Sequence, residues 1–166
     1  ILHLSACSNF RGHFSQSFEY TRSLVAELTP PTLKEFNLLQ ALTWLATQIH
    51  RHGLTLTVRQ DAAPLPLPED EAVLLFQSVR ELLFNVLKHA KATEATIVLT
   101  VRDDEQLEVV VADDGYEFVT APQNRPGTTA NRFGLFSIHE RMAGMGGQLV
   151  IESVLAGGTR ATLTTP

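Results

Sequence analysis

The stretch Glu81-Leu82-Leu83-Phe84-Asn85-Val86-Leu87-Lys88-His89 threads four polar side chains through an apolar run. On an α-helix, steps of four and three put Glu81, Asn85, Lys88 and His89 on one side, and the apolar residues between them face elsewhere. A carboxylate, an amide oxygen and a cation sharing one helical face suit a hydrated Mg²⁺ with phosphates. Taken alone, the same residues also read as a solvated polar face with i to i+4 pairing. A mid-helix Asn, however, adds nothing to helix stability.

Working upstream, Glu69-Asp70-Glu71 sets negative charge in the first turn of this helix, where the dipole favours it. The periodicity through Val73, Phe76, Val79, Leu83 and Val86-Leu87 predicts a helix to about Ala90. Pro64-Leu65-Pro66-Leu67-Pro68 before it reads as a stiff extended connector. Leu54, Leu56 and Val58 alternate with Thr55, Thr57 and Arg59 as a half-buried strand. Leu38, Leu39, Leu42, Leu45, Ala46 and Ile49 form a helical face, Trp44 reads as core, and Gly53 stops the helix beyond His50 and His52. Pro30-Pro31 ends whatever helix precedes it. Before that break, Phe14, Phe18, Thr21, Val25 and Leu28 form a stripe that needs a helical partner.

Downstream, strands are predicted at 95–101 and 106–112, joined by the turn-like Arg102-Asp103-Asp104-Glu105. Residues 116–133, with Pro122, Pro126 and Gly127, read as a long loop of the kind that serves as a lid. A helix at 135–143 and strands at 148–153 and 159–164 complete the order α, β, α, β, β, loop, α, β, β. Consecutive strands imply antiparallel ladders, so a doubly wound parallel sheet is excluded. The expectation is an α+β, two-layer sandwich with helices on one face of a mixed, largely antiparallel sheet.

Three further stretches carry chemistry. The strand Val109-Val110-Val111-Ala112 ends in Asp113-Asp114-Gly115; an acid there can accept a hydrogen bond from an exocyclic amine, and the same residues also read as an Asp-Gly turn. Gly134 and Leu135 open the predicted fourth helix, where backbone N–H groups can approach an anion. Gly157-Gly158-Thr159 enters the last strand and also reads as a tight hairpin.

Composition narrows the classes. Over 166 residues, 44% are hydrophobic and 19% charged, an ordinary globular balance. The net charge of −5 argues against a nucleic-acid surface. No apolar run approaches the roughly 20 residues a membrane helix needs. The single Cys7 excludes an internal disulfide or a multi-cysteine metal site, and no GxxxxGK[ST] phosphate loop is present. The opening Ile1-Leu2-His3-Leu4 reads as a cut from a longer protein.

In this order and at these intervals, Glu81–Asn85–Lys88-His89, Asp113-Asp114-Gly115, Gly134-Leu135-Phe136-Ser137-Ile138-His139-Glu140-Arg141-Met142 and Gly157-Gly158-Thr159 resemble the N box, two glycine boxes and terminal Gly-Thr of sensor histidine kinases. The GLxxIxERM pattern with Gly146-Gly147 and Ser153 resembles the NarL- or DesK-type subfamily. So does Leu24-Val25-Ala26-Glu27-Leu28-Thr29-Pro30-Pro31 followed by the leucines at 38–45. The likeness runs from about residue 20 to the end.

The resemblance implies the ATP-binding fold shared with gyrase, mismatch-repair and chaperone ATPases, with residues 31–166 as the catalytic domain, a lid at about 116–133, and residues 1–30 as the end of a dimerisation hairpin. It implies ATP and Mg²⁺ as ligands, with Asp113 on the adenine amino group, Thr159 supporting it through a water, and Asn85 on Mg²⁺. Glu81 would orient the attacking imidazole or a metal-bound water. Lys88 and His89 would meet phosphates, and Gly115, Gly134 and Leu135 would lie along the nucleotide. It further implies a homodimeric parent, a response regulator as partner and a cytoplasmic domain.

Two departures stand out. Glu117 occupies the place of the family's second glycine, and a carboxylate beside a triphosphate repels it unless it points to solvent. That motivates a rival reading, a degenerate nucleotide-sensing or dimerisation module; an ATP hydrolase with Glu81 as base is a third. The family's acceptor histidine precedes an acidic residue, yet here only His139 does so, inside the second glycine box. The acceptor is therefore expected upstream of this sequence.

Overall fold

The computed structural model describes residues 37–61, 67–102, 106–115, 128–153 and 157–166, with the backbone alone described at 128–133 and 153. The stripe at Phe14–Leu28, Glu117 and the loop 116–127 lie outside the described residues.

Helix α1 (Leu38–His50) starts at a reciprocal cap. The Asn37 side chain accepts from the Gln40 N–H at 2.9 Å, and the Gln40 side chain accepts from the Asn37 N–H at 3.1 Å. Such caps stabilise a helix by about 1 kcal/mol. Its stripe of Leu38, Ala41, Leu42, Leu45 and Ile49 is fully buried. After Gly53 the chain enters strand β1 (Thr55–Gln60). Helix α2 (Glu69–Asn85) carries its three acids in the first turn, as expected.

The helix does not stay α-helical to Ala90. Val86–Ala90 form a π-helical turn, closed by Lys91 in the left-handed region at φ 48°. The wider turn takes up about one extra residue, so Lys88 and His89 rotate away from the line of Glu81 and Asn85. Asn85 is buried, whereas Lys88 and His89 are exposed.

Strands β2 (Glu94–Val101) and β3 (Leu107–Asp113) follow, then helix α3 (Thr128–Gly144) and strands β4 (Gln148–Ser153) and β5 (Thr159–Thr164). Helix α3 begins at Thr128, not at Leu135. The loop expected to run to Phe133 stops sooner because its breakers end at Pro126-Gly127, and no proline or glycine follows until Gly134.

The five described strands form one sheet in the order β1-β2-β3-β5-β4. Only β1 and β2 are parallel, joined through α2; the other pairs are antiparallel. Strand residues of one face (Ile97, Leu99, Val109, Val111, Ala161, Leu163) join Leu42, Leu45, Phe76, Leu83, Ile138 and Met142 from the helices in a single core. Full burial of each large side chain contributes roughly 1.5–3 kcal/mol. The two-layer α+β sandwich with a mixed, largely antiparallel sheet is therefore the observed fold. Among the described residues no helix is long and apolar enough to cross a membrane.

Candidate nucleotide site

Strand β3 delivers Asp113 to the end of the sheet, laddered between Ala95 of β2 and Thr159 of β5. The period-2 pleat gives Asp113 the inward face that it shares with Val109 and Val111. It thereby joins an open slot lined by Leu82 and Val86 from above and by Val111, Ile151, Thr159 and Ala161 from the sheet. The slot is apolar apart from Asp113 and Thr159.

Burial pushes the Asp113 carboxyl above the usual aspartate range, and the neighbouring Asp114 charge adds to this. The N–H groups of Gly115 and Thr159 pull the other way, the former donating to Oδ1 at 2.9 Å. Thr159 is 5% exposed, and its hydroxyl has no hydrogen-bond partner among the described residues. An acceptor carboxylate and a free hydroxyl at the end of an apolar slot suit a heterocycle bearing an exocyclic amine.

Asp114 has a different task. Its Oδ1 accepts from the N–H groups of Thr93 at 2.8 Å and Glu94 at 2.9 Å, and its Oδ2 accepts from the Thr93 hydroxyl at 2.7 Å. These bonds hold its carboxyl below the usual range.

The close approaches explain two glycines. A Cβ on Gly115 would run into the carbonyl of Ala90, so this residue packs against the end of the π-turn. Gly158, at φ 99°, faces the carbonyl of Asp113 with no room for a side chain.

Glu81 and Asn85, one turn apart on α2, lie against Gly134 of α3. A Cβ at Gly134 would stand 2.8 Å from Glu81 Oε1 and 3.7 Å from Asn85 Nδ2. Asn85 is 5% exposed, and its Nδ2 has no hydrogen-bond partner among the described residues. A buried unpartnered amide costs about 1–3 kcal/mol, which marks Asn85 as a residue kept for something other than packing. Its amide, with the Glu81 carboxylate a turn away, is chemically suited to a hard oxygen-seeking cation. Gly134 is the seventh residue of α3, so its N–H lies inside the helix and not at an anion-binding N-terminus. Leu135 is half-buried against the core. Lys88 Nζ sits 5.9 Å from the centre of the Phe84 ring. Partial burial and the Lys88 charge push the His89 imidazole below its ordinary value.

The structure thus brings Asp113, Gly115 and Thr159 together at one end and Glu81, Asn85 and Gly134 at the other, with Lys88 and His89 on the exposed turn between α2 and β2. Sequence reasoning missed the clamp from Asp114 to Thr93, because a hydroxyl 21 residues away carries no local signal. It singled out none of the slot's apolar residues Leu82, Val86, Ile151 and Ala161 as part of the site.

A family model described as histidine kinase-, DNA gyrase B- and HSP90-like ATPase matches residues 70–166. That is more than half of the chain, and the chain belongs to this family. It is similar to the signal transduction histidine-protein kinase/phosphatase UhpB of Salmonella typhimurium, 30% identical over 151 residues that cover 90% of this chain and 28% of the relative. It is likewise similar to the sensor histidine kinase LiaS of Bacillus subtilis, 30% identical over 145 residues, 87% of this chain and 38% of that protein. The chain therefore spans well under half the length of these relatives. Among solved structures, the histidine kinase domain of the blue-light activated kinase from Erythrobacter litoralis superposes with a TM-score of 0.59 at 25% identity, covering 78% of this chain and 65% of that one. These matches support a histidine kinase ATPase domain of the NarL/DesK type, in line with the sequence motifs.

Proposed function

We propose that residues 31–166 form the catalytic domain of a two-component sensor histidine kinase, binding ATP with Mg²⁺ and passing the γ-phosphoryl group to a histidine on the dimerisation helices of a longer, homodimeric parent. The observation that carries this reading is the half-buried Asp113 beside the unpartnered Thr159 hydroxyl at the end of an apolar slot. Asp113 accepts from the adenine amine, and Thr159 supports it. Lys88 and His89 meet the phosphates, and Gly115 and Gly134 hold the walls of the site close together. Leu135, half-buried on α3 next to Gly134, lies along the nucleotide.

Mg²⁺ would be held by Asn85 and would supply charge neutralisation on the phosphates. Glu81 orients the attacking imidazole nitrogen; a P–N bond forms as the bond from phosphorus to the ADP oxygen breaks. Transfer of this kind depends mainly on positioning and electrostatics. The phosphoryl group then passes to a response regulator, which puts the domain in the cytoplasm.

Calorimetric titration with a non-hydrolysable ATP analogue, with and without Mg²⁺, tests the binding step on wild type, Asp113→Ala and Asn85→Ala. Binding that needs Asp113, and that gains from Mg²⁺ only when Asn85 is present, supports the reading. No binding by a folded wild-type chain overturns it in favour of a degenerate module, and Glu117→Gly is then the rescue to try. Phosphoryl transfer in the full-length parent, lost in Glu81→Gln with nucleotide binding kept, tests the chemical step. ATP hydrolysis without transfer would point instead to a hydrolase.

A further inference from the structure

The two ends of the site are built on different supports. Asp113 is fixed by the sheet, paired on both sides with Ala95 and Thr159. Lys88 and His89 sit on the π-turn, which belongs to no ladder and ends in a left-handed residue, Lys91. Whatever sets their distance from Asp113 must tie that turn back to the sheet.

The two residues after Asp113 do so, Gly115 on the turn itself and Asp114 on the link that leads from the turn into β2. The Asp114 carboxylate binds Thr93 through both its N–H and its hydroxyl, and also the N–H of Glu94. The Asp114 N–H returns a bond to the Glu94 carbonyl at 3.1 Å. Gly115 packs against Ala90, the last residue of the π-turn. The Thr93 carbonyl in turn accepts from the Thr55 N–H at 2.9 Å, which anchors the same point to β1. Asp114 is itself exposed and adds nothing to the core, so its contacts serve geometry.

We propose that Asp114 is a positioning residue: by clamping Thr93 and Glu94 it holds the π-turn cations Lys88 and His89 at a fixed distance from the base-accepting Asp113. The inference rests on the nucleotide reading above and deepens it. Adenosine engages only the sheet-anchored end, whereas the triphosphate must also reach the turn. Loosening the clamp therefore separates the two affinities, which a general loss of stability does not do.

The test measures the affinity of the 166-residue chain for adenosine and for the imido analogue of ATP with Mg²⁺, on wild type, Asp114→Ala, Asp114→Asn and Thr93→Val. In Asp114→Ala, adenosine affinity stays within about twofold of wild type while the gain from adenosine to the ATP analogue drops about tenfold. Asp114→Asn restores that gain, because its amide oxygen accepts from both N–H groups and its NH₂ can donate to the Thr93 hydroxyl. Thr93→Val, which loses only the hydroxyl contact, lowers the gain about threefold. An unchanged gain in Asp114→Ala, or a parallel fall in both affinities, overturns the proposal. Should Asp114→Ala not fold, an unchanged gain in Thr93→Val overturns it equally. A folded wild type that binds the analogue no better than adenosine overturns the nucleotide reading itself, and this inference with it.

Discussion

Thr159 and Asp113 are direct partners in the β3–β5 ladder, and the Thr159 N–H helps hold the Asp113 carboxylate while its own buried hydroxyl stays unpartnered. Two polar groups are thereby aimed into one apolar slot: the Asp113 carboxylate accepts from the N–H groups of Gly115 and Thr159, whereas the Thr159 hydroxyl makes no bond among the described residues. Replacing Asp113 by Asn keeps the shape and removes the charge that burial disfavours. Asp113→Asn is expected to melt slightly above wild type while binding the ATP analogue about tenfold more weakly or worse, since bonds to charged groups contribute about 1.5–3 kcal/mol. Calorimetry and a thermal melt on the same sample check both halves.

The pH dependence of binding follows from the same carboxyl. Its value in the fold lies above the ordinary range, so it takes up a proton at a higher pH than a free aspartate. Nucleoside affinity should fall on acidification through that raised value, and a titration series on Asp113→Asn should be flatter over the same window.

Asp114 titrates with the opposite sign. Its folded value is depressed, so its contribution to stability is present above the unfolded value of about 3.9 and disappears as pH falls through the folded value. The difference in melting temperature between wild type and Asp114→Ala should accordingly be constant near neutrality and shrink below about pH 4.

Gly134→Ala separates stability from activity. The new methyl group meets only the tip of the Glu81 side chain, which can swing away, and alanine gains about 1 kcal/mol over glycine inside a helix. The variant should fold at least as well as wild type, yet transfer phosphate in the full-length parent at least about tenfold more slowly because Glu81 is displaced. Circular dichroism melts and a transfer assay read the two effects.

Gly158→Ala should fail in the other way. Its Cβ would collide with the backbone carbonyl of Asp113 at a positive φ, and neither group can rotate out of reach. A loss of about 2 kcal/mol or more is expected, seen as a melting temperature lowered by roughly 4–8 °C.

Much of this was legible in the sequence because burial writes itself as periodicity. The stripe from Leu38 to Ile49 gave the helix, and the strands expected at 95–101 and 106–112 fall within one residue of those observed. What periodicity cannot register is a change of helical pitch: nothing in Val86-Leu87-Lys88-His89-Ala90 announces the π-turn, whose last residue, Ala90, packs on Gly115. The start of α3 was missed for a similar reason, since Thr128–Phe133 has loop-like composition but no actual breaker. At the site, Asp113 and Asn85 were readable as motif residues. Their electrostatic distinction from Asp114 was not, because it arises from Thr93 and Glu94, on the neighbouring strand and the residue leading into it.

The adjacency of Asp113 and Asp114 has a consequence for how such a chain can change. Neighbours on a pleated strand point to opposite sides, so two like residues in succession serve the pocket and the scaffold respectively. Substitutions along β3 leave that assignment intact. Deleting one residue between Leu107 and Asp113 would send the buried acid outward and the clamp into the slot, and inserting one would put Ala112 in the place of the buried acid. The strand can thus drift in composition while its length stays frozen, and the count of residues becomes as much a part of the site as their chemistry.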